Sequence, residues 1–217
     1  MRKKPIILMA VVLLVSSIFS SIACAANTLS SDRKIAPIIS TDWLESNGSL
    51  DDLVIIDIRN ADDYAKGHIA NSINITADAE SAWSVTRNGL IMEMPDEAAL
   101  FNVIGNCGIK NDSLVVIVTA VAEAPNPPYP LANATRTADT LIYAGVKNVT
   151  ILDGGYTKWV ADGKQTTAEV PKVKKTTYKG TIDKDMIVTV DYVQKSIGKS
   201  VIIDARDADV YSGVTIE

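Results

Sequence analysis

The stretch VIIDIRNADDYAKG at 54–67 returns 147 residues later as VIIDARDADVYSG at 201–213. Eight of the first eleven aligned positions are identical, through Tyr64 and Tyr211, and a glycine follows each tyrosine within three residues (Gly67, Gly213). An offset of domain length, rather than the roughly 20–50 residues of a stacked repeat, means that a whole domain is duplicated. Each copy reads as a β-branched strand ending in an acid, then Asp-x-Arg, then a polar helix start. The 217 residues hold one such unit in full and the beginning of another.

Between 36 and 166 the pattern alternates. The runs at 53–57, 114–119 and 148–154 are short and β-branched, and they predict buried parallel strands. Helical stretches separate them. STDWLES opens with Ser and Thr as caps, and PDEAALFNVIGNCG starts on proline and acids and closes near Gly108. LANATRTADTLIYAGV gathers Leu131, Ala134, Ala138, Leu141 and Ile142 on one face, and GYTKWVADG ends at Gly163. The expected fold is α/β, a mostly parallel central sheet flanked by helices, followed by the start of a second copy. Residues 167–181, polar and rich in Lys and Thr, read as a linker; 182–217 read as the N-terminal part of the second unit, with TVDYVQKSIGK a capped helix and SVIIDAR a strand.

The first 25 residues read as a secretory signal peptide. Arg2, Lys3 and Lys4 precede an apolar run, and Ala23-Cys24-Ala25 offers a cleavage site. An uncleaved anchor and lipidation of Cys24 stay open; for the latter, Ser21 stands where a lipobox prefers Leu. The expected location is exported, periplasmic or otherwise extracytoplasmic, with membrane contact only through this segment. Removing 1–25 leaves 18 basic against 26 acidic residues, a net charge of −8, which repels nucleic acid. Cys107 is then the one thiol left, so no internal disulfide is expected.

Asp57-Ile58-Arg59, Tyr64, Gly67-His68-Ile69, Ala70 and Asn74-Ile75 resemble the first signature of the rhodanese family. Gly108-Ile109 with Asp112 ahead of LVVIV resembles the approach to that family's active-site loop, and Leu152-Asp153-Gly154-Gly155 with Trp159 its closing signature. The duplication looks like the tandem rhodaneses, thiosulfate or 3-mercaptopyruvate sulfurtransferases. The resemblance implies transfer of sulfane sulfur from a small anionic donor through a cysteine persulfide to a thiol or cyanide. It implies no metal and no organic cofactor.

That chemistry needs a thiolate held below its free pKa of about 8.5 by inward backbone N–H groups and a helix N-terminus. At the corresponding place stands Thr119, followed by a long loop with Pro125, Pro127, Pro128 and Pro130, which remove N–H donors. The first unit is therefore expected to be non-catalytic. The counterpart of Thr119 in the second copy falls near position 266, beyond Glu217, so the sequence reads as a fragment, the favoured reading, or as a natural truncation, and is expected to be inactive by itself. Asp57, Arg59 and Asp204 are expected to brace loops at strand ends, and Arg206, by resemblance, to face the anionic donor. Arg136, at the start of the loop helix, reads as solvated or loop-bracing. Cys107 precedes its strand and sits at the wrong sheet end for a nucleophile. His68 reads as a structural tie, and Tyr64, Tyr156 and Trp159 as packing. A competing reading is a non-catalytic module that binds a protein partner or a sulfur or selenium oxyanion. A phosphatase would need Cys-x5-Arg, which is absent.

Overall fold

A computed structural model of the chain describes residues 33–78, 80–122, 125–126 and 128–215. The expected signal peptide and Cys24 lie outside them. Seven strands and seven helices follow in order: β1 (Ile38–Ile39), α1 (Thr41–Asn47), β2 (Leu53–Asp57), α2 (Ala61–Lys66), β3 (Ser72–Asn74), β4 (Val85–Arg87), β5 (Leu90–Glu93), α3 (Glu97–Asn106), β6 (Leu114–Val118), α4 (Tyr129–Tyr143), β7 (Asn148–Leu152), α5 (Gly155–Ala161), α6 (Val190–Ser196) and α7 (Ala208–Tyr211). Five strands form one parallel sheet in the order β1-β7-β6-β2-β3. β4 and β5 form a separate antiparallel hairpin. Among the described residues no helix is long and apolar enough to cross a membrane.

Both faces of the sheet are covered, so its strands are apolar without alternation, and alternate residues enter different cores. Ile56, Val115, Ile117 and Val149 pack with Leu100 and Ile104 of α3 and Leu141 of α4. Ile55, Val116, Val118 and Leu152 pack on the opposite face with Leu44 of α1 and Trp159 of α5. Ser40 caps α1 by accepting from the Trp43 N–H, and Asn60 caps α2 by accepting from Asp63. Leu131 departs from the expected apolar face: it is 55% exposed, and the buried stripe of α4 runs through Ala134, Thr137, Ala138, Thr140 and Leu141. The two threonines enter the core because their hydroxyls donate to the carbonyls of Asn133 and Arg136, 2.8 and 2.9 Å away.

Residues 167–181 contain no helix or strand, yet they lie along the first unit instead of leaving it. The Thr176 N–H donates to the Gly105 carbonyl at 2.8 Å, and its hydroxyl to that of Ile109 at 2.8 Å. Tyr178 is buried, donates to the Ala144 carbonyl at 2.9 Å, and meets Phe101 edge to face. The strap approaches α3 so closely that a Cβ at Gly105 would stand 2.5 Å from the Thr176 oxygen.

Beyond the strap the expected capped helix forms as α6, with Thr189 accepting from the Tyr192 N–H. The strand at 201–205 does not form. β2 is held by β3 on one side and β6 on the other, whereas 201–205 pairs with nothing among the described residues, and Val201 and Ile203 are 90% and 83% exposed. A strand without a neighbour has no ladder to satisfy its backbone.

Candidate functional site

The candidate site lies at the carboxyl ends of β2 and β6, the edge where ligands gather in open α/β sheets. β2 ends on Asp57, whose carboxylate forks around Arg59. Oδ1 accepts from the Arg59 backbone N–H and Nε, both at 3.0 Å, and Oδ2 accepts from Nη2 at 2.7 Å. Nη2 also donates to the Gly67 carbonyl at 2.9 Å, and the guanidinium carbon stands 3.6 Å from the Tyr156 ring centre. The Asn74 amide ties the turn by donating to the carbonyls of Asp57 and Arg59, at 3.0 and 2.8 Å. Both charges are buried, and the fork together with the Gly67 carbonyl occupies Nε and Nη2, so Asp57 and Arg59 brace the edge while the guanidinium still borders the polar cavity beside Thr119.

His68 is fully buried, stacked 3.8 Å from the Tyr64 ring. Its Nδ1 lies 2.9 Å from the Tyr64 carbonyl and its Nε2 3.1 Å from that of Glu169, so it joins the end of α2 to the strap. The His68–Thr167 bridge reinforces the same join. Tyr64 donates to the Ser72 carbonyl at 2.6 Å.

Thr119 follows β6 at the place expected for a nucleophile and is locked there. Its hydroxyl donates to the Pro130 carbonyl at 3.0 Å, and its carbonyl accepts from the Tyr156 N–H at 2.7 Å. Gly155, at φ 55°, permits that approach, since a Cβ there would stand 2.0 Å from the Thr119 oxygen. The start of α4 offers little to an anion. The N–H groups of Leu131 and Ala132 both donate to Pro128, Pro130 has none, and the Val121 N–H is taken by the Thr157 hydroxyl at 3.2 Å. Three of the loop's N–H groups, those of Val121, Leu131 and Ala132, are thus taken within the chain.

Two cavities flank Thr119. One, of about 210 Å³, is polar and lined by Arg59, Asn60, Asp63, Asp78 and Asn133. The other, of about 440 Å³, is an apolar groove between Ile38, Val121, Leu131 and the Gly154–Gly155 turn. Tyr156 and Leu131, read from sequence as core, belong to this edge. The resemblance in Gly154-Gly155 could have shown it, because a two-glycine turn marks a close backbone approach.

Arg136 donates to the Met92 carbonyl on the β4–β5 hairpin and reaches neither Thr119 nor Asp57. Asp204 and Arg206 repeat the Asp57–Arg59 fork, with Arg206 Nε 2.9 Å from Oδ1 and Nη2 2.5 Å from Oδ2, but on an exposed segment. That pairing holds the Asp204 carboxyl down at about 2. Among the described residues no cluster of His, Cys, Asp and Glu could hold a metal ion.

Cys107 caps the C-terminus of α3, 2% exposed, at the opposite end of the sheet. Burial pushes its thiol from 9.0 up to about 12. Native protein is therefore expected to resist iodoacetamide at neutral pH and to react after urea unfolding. Burial also raises Tyr178 from 10.0 to about 12. Both groups bind their protons more tightly when folded, so their contribution is whole below pH 9 and is lost as pH rises toward 12. A Tm series across that window should fall, and fall less in Cys107→Ala with Tyr178→Phe.

The family model for the rhodanese-like domain matches residues 40–162, more than half of the chain. A Synechococcus elongatus protein grouped by name with the thiosulfate sulfurtransferases is 26% identical over 176 residues, 81% of this chain and 52% of its own length. Chicken (Gallus gallus) thiosulfate sulfurtransferase is 26% identical over 126 residues, 57% of this chain and 42% of its own. The chain spans about half the length of the curated relatives it matches. The crystal structure of SseA from Escherichia coli, reported for the rhodanese fold and mechanism of 3-mercaptopyruvate sulfotransferases, superposes with a TM-score of 0.68. It does so at 22% identity over 82% of this chain and 68% of its own.

Proposed function

The chain belongs to the rhodanese-like domain family, and from that premise we propose that it is the supporting half of an extracytoplasmic tandem sulfurtransferase. The whole protein moves sulfane sulfur from thiosulfate or a similar anionic donor, through a cysteine persulfide, to a thiol or cyanide acceptor. The first unit holds the scaffold, and the second copy begun at 182 carries the nucleophile. The observation that supports this most is the locked Thr119: where the family resemblance puts the reactive residue stands a hydroxyl that donates to Pro130, and the nearby N–H groups of Val121, Leu131 and Ala132 are taken. Residues 1–25 direct export.

Thiocyanate formation from thiosulfate and cyanide tests the reading. The 217-residue chain is expected to stay at the blank, and so is Thr119→Cys, because a thiol placed there meets no ring of donors to hold its thiolate. Turnover that vanishes in Cys107→Ser would overturn it. In a chain of the relatives' length, a cysteine about 147 residues after Thr119 should give turnover that its replacement by serine removes. Thr, Asp or Ser in that place would favour the second reading, a binding module. The apolar groove beside Thr119 suits an apolar segment of a protein partner better than an oxyanion.

A further inference from the structure

The β4–β5 hairpin faces α4 across a cavity of about 480 Å³. The chain has five methionines; Met1 and Met9 lie in the N-terminal segment, and the other three, Met92, Met94 and Met186, all line this one cavity. Met94 packs against the α3–α4 core, but core packing does not account for the other two. Met92 and Met186 are each 37% exposed and border open space. Met92 also holds a left-handed backbone, φ 61°, which costs a residue with a side chain about 1–2 kcal/mol. The Arg136 guanidinium holds the Met92 carbonyl and so ties that turn to α4.

One carboxylate beside the three thioethers is left to attract a small cation. Glu93 and Asp139 line the cavity with Arg136, but Glu93 is paired with Arg87 at 3.8 Å, so Asp139 is the acid without a counter-charge among the described residues. Asp139 makes no hydrogen bond or ion pair among the described residues, and partial desolvation alone raises its carboxyl. Thioether sulfur is soft and uncharged. It does not compensate the lost water of a hard dication, but it matches a monovalent d10 ion.

We propose that Met92, Met94 and Met186 form a thioether site for a soft monovalent cation of the Cu(I) or Ag(I) kind, with Asp139 supplying the nearby negative charge. Thioethers carry no proton at any ordinary pH, so acid does not compete for the ligands themselves, unlike in a site built on thiols or imidazoles. The inference is independent of the sulfur-transfer reading.

Silver nitrate in chloride-free buffer is the probe, with the full chain carrying Cys24→Ser and Cys107→Ala and its methionine methyls labelled with ¹³C. The methyl resonances of Met92, Met94 and Met186 are expected to move together and saturate at one equivalent. Affinity should hold from neutral pH down to about pH 5. Met186→Leu lies on an irregular, part-exposed segment, so it retains the fold, checked by circular dichroism. It should weaken Ag(I) by more than about tenfold, since loss of even a supporting group at a metal site costs that much. Methyls that move at separate midpoints, or a Met186→Leu chain that binds silver as tightly as its parent, would overturn the proposal.

Discussion

Replacing Asp57 by alanine is expected to destabilise the first unit by about 3–5 kcal/mol, a fall in Tm of about 6–20 °C. The carboxylate has no exposed surface and receives three donors from Arg59 alone. Its removal leaves the guanidinium buried, held only by the Gly67 carbonyl and the Tyr156 ring. An unpaired charge in that position loses its partner without regaining water, which is why breaking a buried pair costs more than the pair contributes when intact. Asp204→Ala is the control within the same molecule. The fork around Arg206 has nearly the same distances, yet it sits in solvent, where an ion pair contributes little. Differential scanning calorimetry should show a large shift for the first substitution and almost none for the second. Equal shifts would mean that burial does not set the value of this motif.

Tyr178→Ala should cost about 3–5 kcal/mol, the loss typical of emptying a large aromatic site in a packed core. Tyr178 lies beyond the last helix of the first unit, on a strap that looks like a tether in the sequence. Its ring nonetheless packs with Phe101 and the α3–α4 core, and its hydroxyl holds the end of α4 at Ala144. Tyr178→Phe keeps the ring and gives up only that hydrogen bond, so about 0.5–1.5 kcal/mol is expected. Urea unfolding at fixed pH separates the two. If Tyr178→Ala unfolded at the same midpoint as the parent, the strap would be a loose connector, and the first unit would end near 166.

Much of the unit was legible because its signals are local. Short continuous β-branched runs marked β2, β6 and β7, and Ser40 marked the start of α1 by a side chain that reaches only three residues ahead. The Asp-x-Arg turn is the clearest example. The N-cap residues Asn60 and Asp207 have φ/ψ of −59°/154° and −61°/153°, one at the edge of a full sheet and the other beside no sheet at all. What failed was non-local. The run at 201–205 has the same apolar residues as β2 but no strands on either side, so it is no strand. Leu131 has the right character for a core face, but α4 begins beyond the sheet and leaves its first turn over a groove.

By itself, the chain's order of residues determined the alternating α/β pattern and the Asp57–Arg59 and Asp204–Arg206 forks. Each depends on neighbours a few residues apart, and such contacts form wherever the segment is placed. Only the tertiary structure decided which fork is buried, that 167–181 straps the core, that the Thr119 hydroxyl is held by Pro130, and that Met92 and Met94 meet Met186 across one cavity. Those facts join residues up to about a hundred positions apart, and burial depends on what the rest of the chain packs over them.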